Sequence, residues 1–125
     1  MDVRQTTLDA ARRALRCRLQ LEVCRRGRKE GLDASIWEPL EWLAGGFASD
    51  TNKDWLQVLD EHWPAPLAIE IRENLKGVVI EALAMAVEEA CDPYKDKADP
   101  KWLSAIASEW VKEFRFEDLI PEDRR

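Results

Sequence analysis

The sequence predicts an all-α fold: one domain, residues 1–125, built as a bundle of four to five helices around a long, mostly buried central helix. Three observations lead there. No stretch alternates apolar and polar residues strictly, as a half-buried strand does, and no Asn-Gly or Asp-Gly hairpin signal occurs. Apolar residues instead recur at three- and four-residue spacing between breaks. Glycine is scarce, at 5 of 125 residues, and the chain is long enough to bury a core without disulfides or metal.

Each helix carries its own signals. The first is expected over about residues 6–26, capped at Thr6 or Thr7 and broken by "RGRKEG" with Gly31. "SIWE" reads as a capping box, with Ser35 and Glu38 three residues apart. It opens a short second helix carrying Trp37, Leu40, Leu43 and Phe47, which Gly45-Gly46 is expected to end. "SDTNKDWLQVLDEHW" then starts a third, capped at Asp50 or Thr51 and closed by "PAP". The fourth, about 67–91, is the longest and most apolar. Its Ile71, Leu75, Val78, Val79, Ala82, Leu83, Met85, Ala86 and Ala90 cover most of its circumference, so it is expected to be the central helix. "CDPYKDKADP" is a loop. "DPKW" starts the last helix, about 100–114, with Asp99 as N-cap and Pro100 in the first turn. In the tail, Phe116, Leu119 and Ile120 are expected to dock as a final turn.

Cys17, Cys24 and Cys91 are expected as reduced, buried residues. Cys17 and Cys24 lie seven residues apart on one helix, an axial rise of about 10.5 Å, too far for a disulfide. No closely spaced cysteine pair suggests zinc, so no metal and no cofactor is expected. The longest apolar run, "GVVIEALAMAV", is too short to cross a bilayer, and the first residues lack the apolar segment of a secretory signal. The expectation is a cytoplasmic protein without membrane contact.

Charge is polarised along the chain. Residues 1–30 hold nine Lys or Arg against four Asp or Glu, whereas the whole chain is −6. The lead functional expectation follows from this. Arg12, Arg13, Arg16, Arg25, Arg26, Arg28 and Lys29 would contact nucleic-acid phosphates, because guanidinium forks match phosphate oxygens and arginine outnumbers lysine eight to one within residues 1–30. The chain would then be a non-catalytic subunit of a nucleoprotein assembly, binding an RNA or DNA backbone and one or more proteins. In size and class only, it resembles the helical small subunits of CRISPR effector complexes.

Two other readings stand beside it. An acidic adaptor or inhibitor would present Glu81, Glu88, Glu89 and Asp92 to a basic site on a partner protein. Alternatively, the arginines meet carboxylates of the same bundle, leaving a helical scaffold or homo-oligomer. Trp42 lies off the apolar face of its helix and is a candidate exposed contact; the other tryptophans sit at core spacing. No catalytic residue is expected. His62 is the only histidine, and no Ser-His-Asp or Cys-His pairing can be argued from its surroundings; the Glu-x-x-His motif repeated on two helices is absent, and so is a glycine-rich phosphate loop.

Overall fold

The computed structural model describes residues 2–63, 65–94, 96 and 98–124, with the side chains of Ile36, Leu40 and Leu43 excepted. The described residues form four α-helices and no strand: α1 (Val3–Lys29), α2 (Ala34–His62), α3 (Ile69–Cys91) and α4 (Pro100–Glu113). Short 3₁₀ turns follow α3 at Asp92–Tyr94 and close the chain at Phe116–Leu119 and Glu122–Arg124. The all-α bundle expected from the sequence is the architecture found.

The long central helix is α1, not residues 67–91. It packs along both α2 and α3. Leu8, Ala11, Leu15, Leu19, Val23 and Cys24 on it are all buried, and so are Ala10, Ala14 and Cys17. The small residues let two helices approach one, and that shifts the centre. By contrast α3 buries one stripe, from Leu75 through Val79, Ala82 and Ala86 to Ala90, and leaves Ile69, Ile71 and Ile80 exposed. Its all-round apolar character marks a helix with surface left over, not one wrapped by neighbours.

The expected break at Gly45-Gly46 does not occur; α2 runs through it and through Pro39. Intrinsic propensity against a glycine pair is only about 2 kcal/mol in total, which the packing of a long helix against α1 outweighs. Thr51 and Asp50 are therefore interior to α2, and the Thr51 hydroxyl donates back to the Ala48 carbonyl, at 3.1 Å. The caps also move outward. Asp2, not Thr6 or Thr7, accepts from the amides of Arg4 and Gln5 at 3.0 and 3.3 Å. Asp33, not Ser35, caps α2 by accepting from the Ser35 amide at 2.9 Å. Aspartate, with a longer reach and a full charge at the positive helix end, competes well with a neighbouring hydroxyl. Thr7, which caps nothing, is fully buried and accepts from the Trp63 indole N–H at 2.8 Å. Asp99 caps α4 as expected, and Pro100 is its first residue.

Two apolar clusters fill the bundle. One joins Leu8, Leu15, Trp55, Leu59, Leu75 and Val79 with Phe116, Leu119 and Ile120 of the tail, which docks as expected. The buried Trp55 indole N–H donates to the Leu119 carbonyl at 2.8 Å and so fixes the tail's register. The second cluster gathers Leu19, Val23, Cys24, Ala90, Tyr94, Leu103 and Ile106 where α1, α3 and α4 meet. Cys17 and Cys24 are buried, Cys91 is half-buried, and all are free thiols. At the end of α1, Gly31 takes φ +75° while Leu32 N–H bonds to the Gly27 carbonyl and Gly31 N–H to that of Arg28. This is a Schellman cap, and it needs a residue without a Cβ at that position.

The glycines should accordingly respond in opposite directions. Gly31→Ala should destabilise the fold by about 1 kcal/mol, since an L side chain is strained there. A Cβ at Gly45 or Gly46 would meet no atom within 4 Å, and neither has a positive φ. Gly45→Ala and Gly46→Ala should each stabilise by about 0.4–1 kcal/mol in chemical denaturation. Destabilisation by both would show that α2 is not a continuous helix.

Candidate interaction surfaces

The arginines of α1 face carboxylates of the same chain. Arg12 and Arg16 both reach Glu89 of α3, at 3.4 and 3.3 Å, and Arg12 also lies 3.6 Å from Asp9. Arg25 pairs with Glu22 at 2.5 Å, Arg26 with Glu109 of α4, and Arg28 with Glu41 of α2. Arg4 pairs with Glu81. Arg18 donates to Asn52 Oδ1 and to the Asp118 carbonyl, both at 3.3 Å, rather than to Glu22. Of the seven cationic residues expected to touch phosphate, five therefore carry internal carboxylate partners. Among the described residues, Arg13 and Lys29 have no carboxylate at ion-pair distance, though Lys29 stands with Arg25 and Arg26 in the field of Glu22.

This pairing follows from the helix geometry. Arg12 and Arg16 are one turn apart, so both guanidinium groups lie over the same turn of α3 and share one carboxylate. Such half-exposed pairs contribute little individually, about 0–1 kcal/mol. Their effect on the outer field is larger: a guanidinium held against a carboxylate presents no net charge to an approaching phosphate.

The acidic residues divide in the same way. Glu81 and Glu89 are engaged by arginines of α1. Glu88 is exposed, has no cation partner among the described residues, and lines a groove of about 620 Å³ between α3 and α4. Along α4 the groove wall is Pro100, Leu103, Ser104, Ala107, Ser108 and Val111, residues spaced by three and four. Facing them are Val87, Glu88, Cys91 and Asp92. The lining is mostly apolar, Val111 is 39% exposed, and Glu88 and Asp92 belong to the α3 wall. No basic residue lies in the last turn of α3, so its carbonyl dipole adds to that negative charge. The sequence could have shown this groove: Pro100 to Val111 has the spacing of a second stripe on α4, beside the one with Trp110 and Phe114.

A second surface lies on α2. Trp42, singled out in the sequence, is 79% exposed, and Phe47 is 58% exposed. Trp37, by contrast, is half-buried and donates its indole N–H to the Leu32 carbonyl at 3.0 Å. By spacing alone, Phe47 is expected on the apolar face with Trp37, Leu40 and Leu43. Phe47 lies in the continuous α2 and is exposed rather than packed in the core.

His62 is half-buried with Nε2 3.8 Å from a Glu61 oxygen. Among the described residues no group of histidine, cysteine and carboxylate side chains could hold a metal ion. No described helix is long and apolar enough to cross a membrane. Tyr94 and Cys24 form a buried pair, Sγ to Oη 3.0 Å, and burial pushes both groups to higher pKa. Burial likewise raises the Cys91 thiol, with Asp92 adding to the shift. No known protein family, curated protein or solved structure matches this chain.

Several caps and ion pairs hold carboxyls below their ordinary range. The Arg25 side chain donates to Glu22, the Ser35 amide to Asp33, and Arg124 to Asp60. These groups bind protons less readily folded than unfolded. Their contribution is thus complete above the ordinary carboxylate range and is lost as pH falls through the depressed folded values. The melting temperature should be flat from about pH 8 to 5 and fall below about pH 4.5. A melting temperature still unchanged near pH 3 would mean these contacts contribute nothing.

Proposed function

We propose that the chain is a non-catalytic helical binding module that takes a basic, amphipathic helix of a partner protein into the groove between α3 and α4. The observation that carries this reading is the groove itself: a largely apolar lining about three turns long on α4, with Glu88 and Asp92 on its α3 side. A helix laid in it would place apolar anchors at three- and four-residue spacing on Leu103, Ala107 and Val111. Its lysines or arginines would meet the carboxylate of Glu88 on the α3 side, and the net charge of −6 also steers cations inward.

The nucleic-acid reading depends on guanidinium groups that are free to meet phosphate. With Arg12, Arg16, Arg25, Arg26 and Arg28 held by carboxylates of the same molecule, it loses the feature that supported it. The acidic-adaptor reading keeps its basis, narrowed from Glu81, Glu88, Glu89 and Asp92 to the groove that Glu88 lines.

A designed leucine–lysine amphipathic peptide tests it, with a leucine–glutamate peptide of the same length as control. The basic peptide should bind, weaken with added salt, and slow alkylation of Cys91, whose half-buried thiol opens on the groove. Glu88→Lys and Val111→Glu should each reduce affinity about tenfold, or 1.4 kcal/mol. Equal binding of the acidic peptide, or an unchanged Cys91 alkylation rate at saturation, overturns the reading.

A further inference from the structure

A different site, on the first half of α2, already shows how this surface treats an arginine. Arg28 lies in a groove of about 840 Å³ whose lining includes Trp37, Glu38, Glu41 and Trp42. Its guanidinium carbon is 4.9 Å from the centroid of the Trp37 ring, and the same group is ion-paired with Glu41. Trp37 and Glu41 are four residues apart, so one turn of helix presents an aromatic face and a carboxylate to a single guanidinium.

The next residues repeat that pair. Glu38 and Trp42 are also four residues apart, rotated by one position around the helix and with the order of the two types reversed. Trp42 is 79% exposed, Glu38 is exposed, and Glu38 has no cation partner among the described residues. The two border a further hollow of about 540 Å³ beside Pro39, and Phe47 and Asp50 extend the first groove along α2. One aromatic–acid pair is thus filled from within the chain, and its neighbour is open to solvent.

We infer that Glu38 and Trp42 form a docking site for an arginine of a partner protein. Charge complementarity selects a cation: Glu38, Glu41 and Asp50 line the groove against the single Arg28. The aromatic face selects arginine over lysine. A planar guanidinium stacks on an indole and forks to a carboxylate at once, whereas an ammonium is a hydrated point charge. Arg28 on Trp37 and Glu41 is the internal example of that geometry. The site stands on its own observations and holds even if the α3–α4 groove takes no ligand.

The probe is a blocked hexapeptide of alternating arginine and glycine, compared with its lysine counterpart. Tryptophan indole N–H resonances of the ¹⁵N-labelled chain report binding, with the Trp42 signal assigned from Trp42→Phe. That signal should move saturably with the arginine peptide, and the lysine peptide should bind about fivefold more weakly. Glu38→Gln should weaken the arginine peptide to a similar degree, whereas Glu88→Lys in the other groove should leave it unchanged. Both positions are exposed, so an unchanged melting temperature separates a lost contact from a lost fold. An unmoved Trp42 signal, equal affinity for the two peptides, or no effect of Glu38→Gln overturns the inference. So does sedimentation showing that Trp42 is covered by a second copy of the chain.

Discussion

The helix α1 is buried along two stripes and charged between them, and the rest of the molecule is arranged to satisfy both demands. Leu8, Leu15, Leu19 and Val23 are sealed by α2, α3 and α4, with Ala10, Ala11 and Ala14 allowing those helices close approach. Each fully buried large aliphatic side chain stabilises the fold by about 1.5–3 kcal/mol, more than any half-exposed ion pair contributes. The apolar stripes therefore drive assembly. The arginines between them then meet whichever carboxylates that packing brings opposite, on α2, α3 and α4.

That arrangement turns a charge asymmetry in sequence into charge balance in space. Arg4 with Glu81, Arg12 and Arg16 with Glu89, Arg26 with Glu109, and Arg28 with Glu41 each join the basic first segment to the acidic remainder. What remains outside is the acidic excess and a few apolar patches. The α3–α4 groove and the Glu38–Trp42 pair share that character: an apolar or aromatic surface beside carboxylates, suited to cationic partners. Neither resembles a reaction centre, where a nucleophile or base would need a convergent partner.

Helix content, the Asp99–Pro100 start of α4, the docking tail, the exposure of Trp42 and the free cysteines were all legible from local patterns. Each depends on a few neighbouring residues, or on apolar spacing that any packing must respect. The α3–α4 groove was only half legible. Its Pro100-to-Val111 stripe has helical spacing, but whether such a stripe is covered depends on a neighbour that sequence does not identify.

Sequence alone determined that this chain makes amphipathic helices with separate apolar and charged faces, because side-chain periodicity is a local property. Tertiary packing decided which helix is central, whether α2 breaks at Gly45-Gly46, and which carboxylate each arginine meets. Those outcomes turn on differences of one or two kcal/mol in local preference, which long-range burial readily exceeds. The arginines of α1 show this most directly: their spacing was plain in the sequence, but their partners lie mostly on α2, α3 and α4 and exist only once the helices are packed.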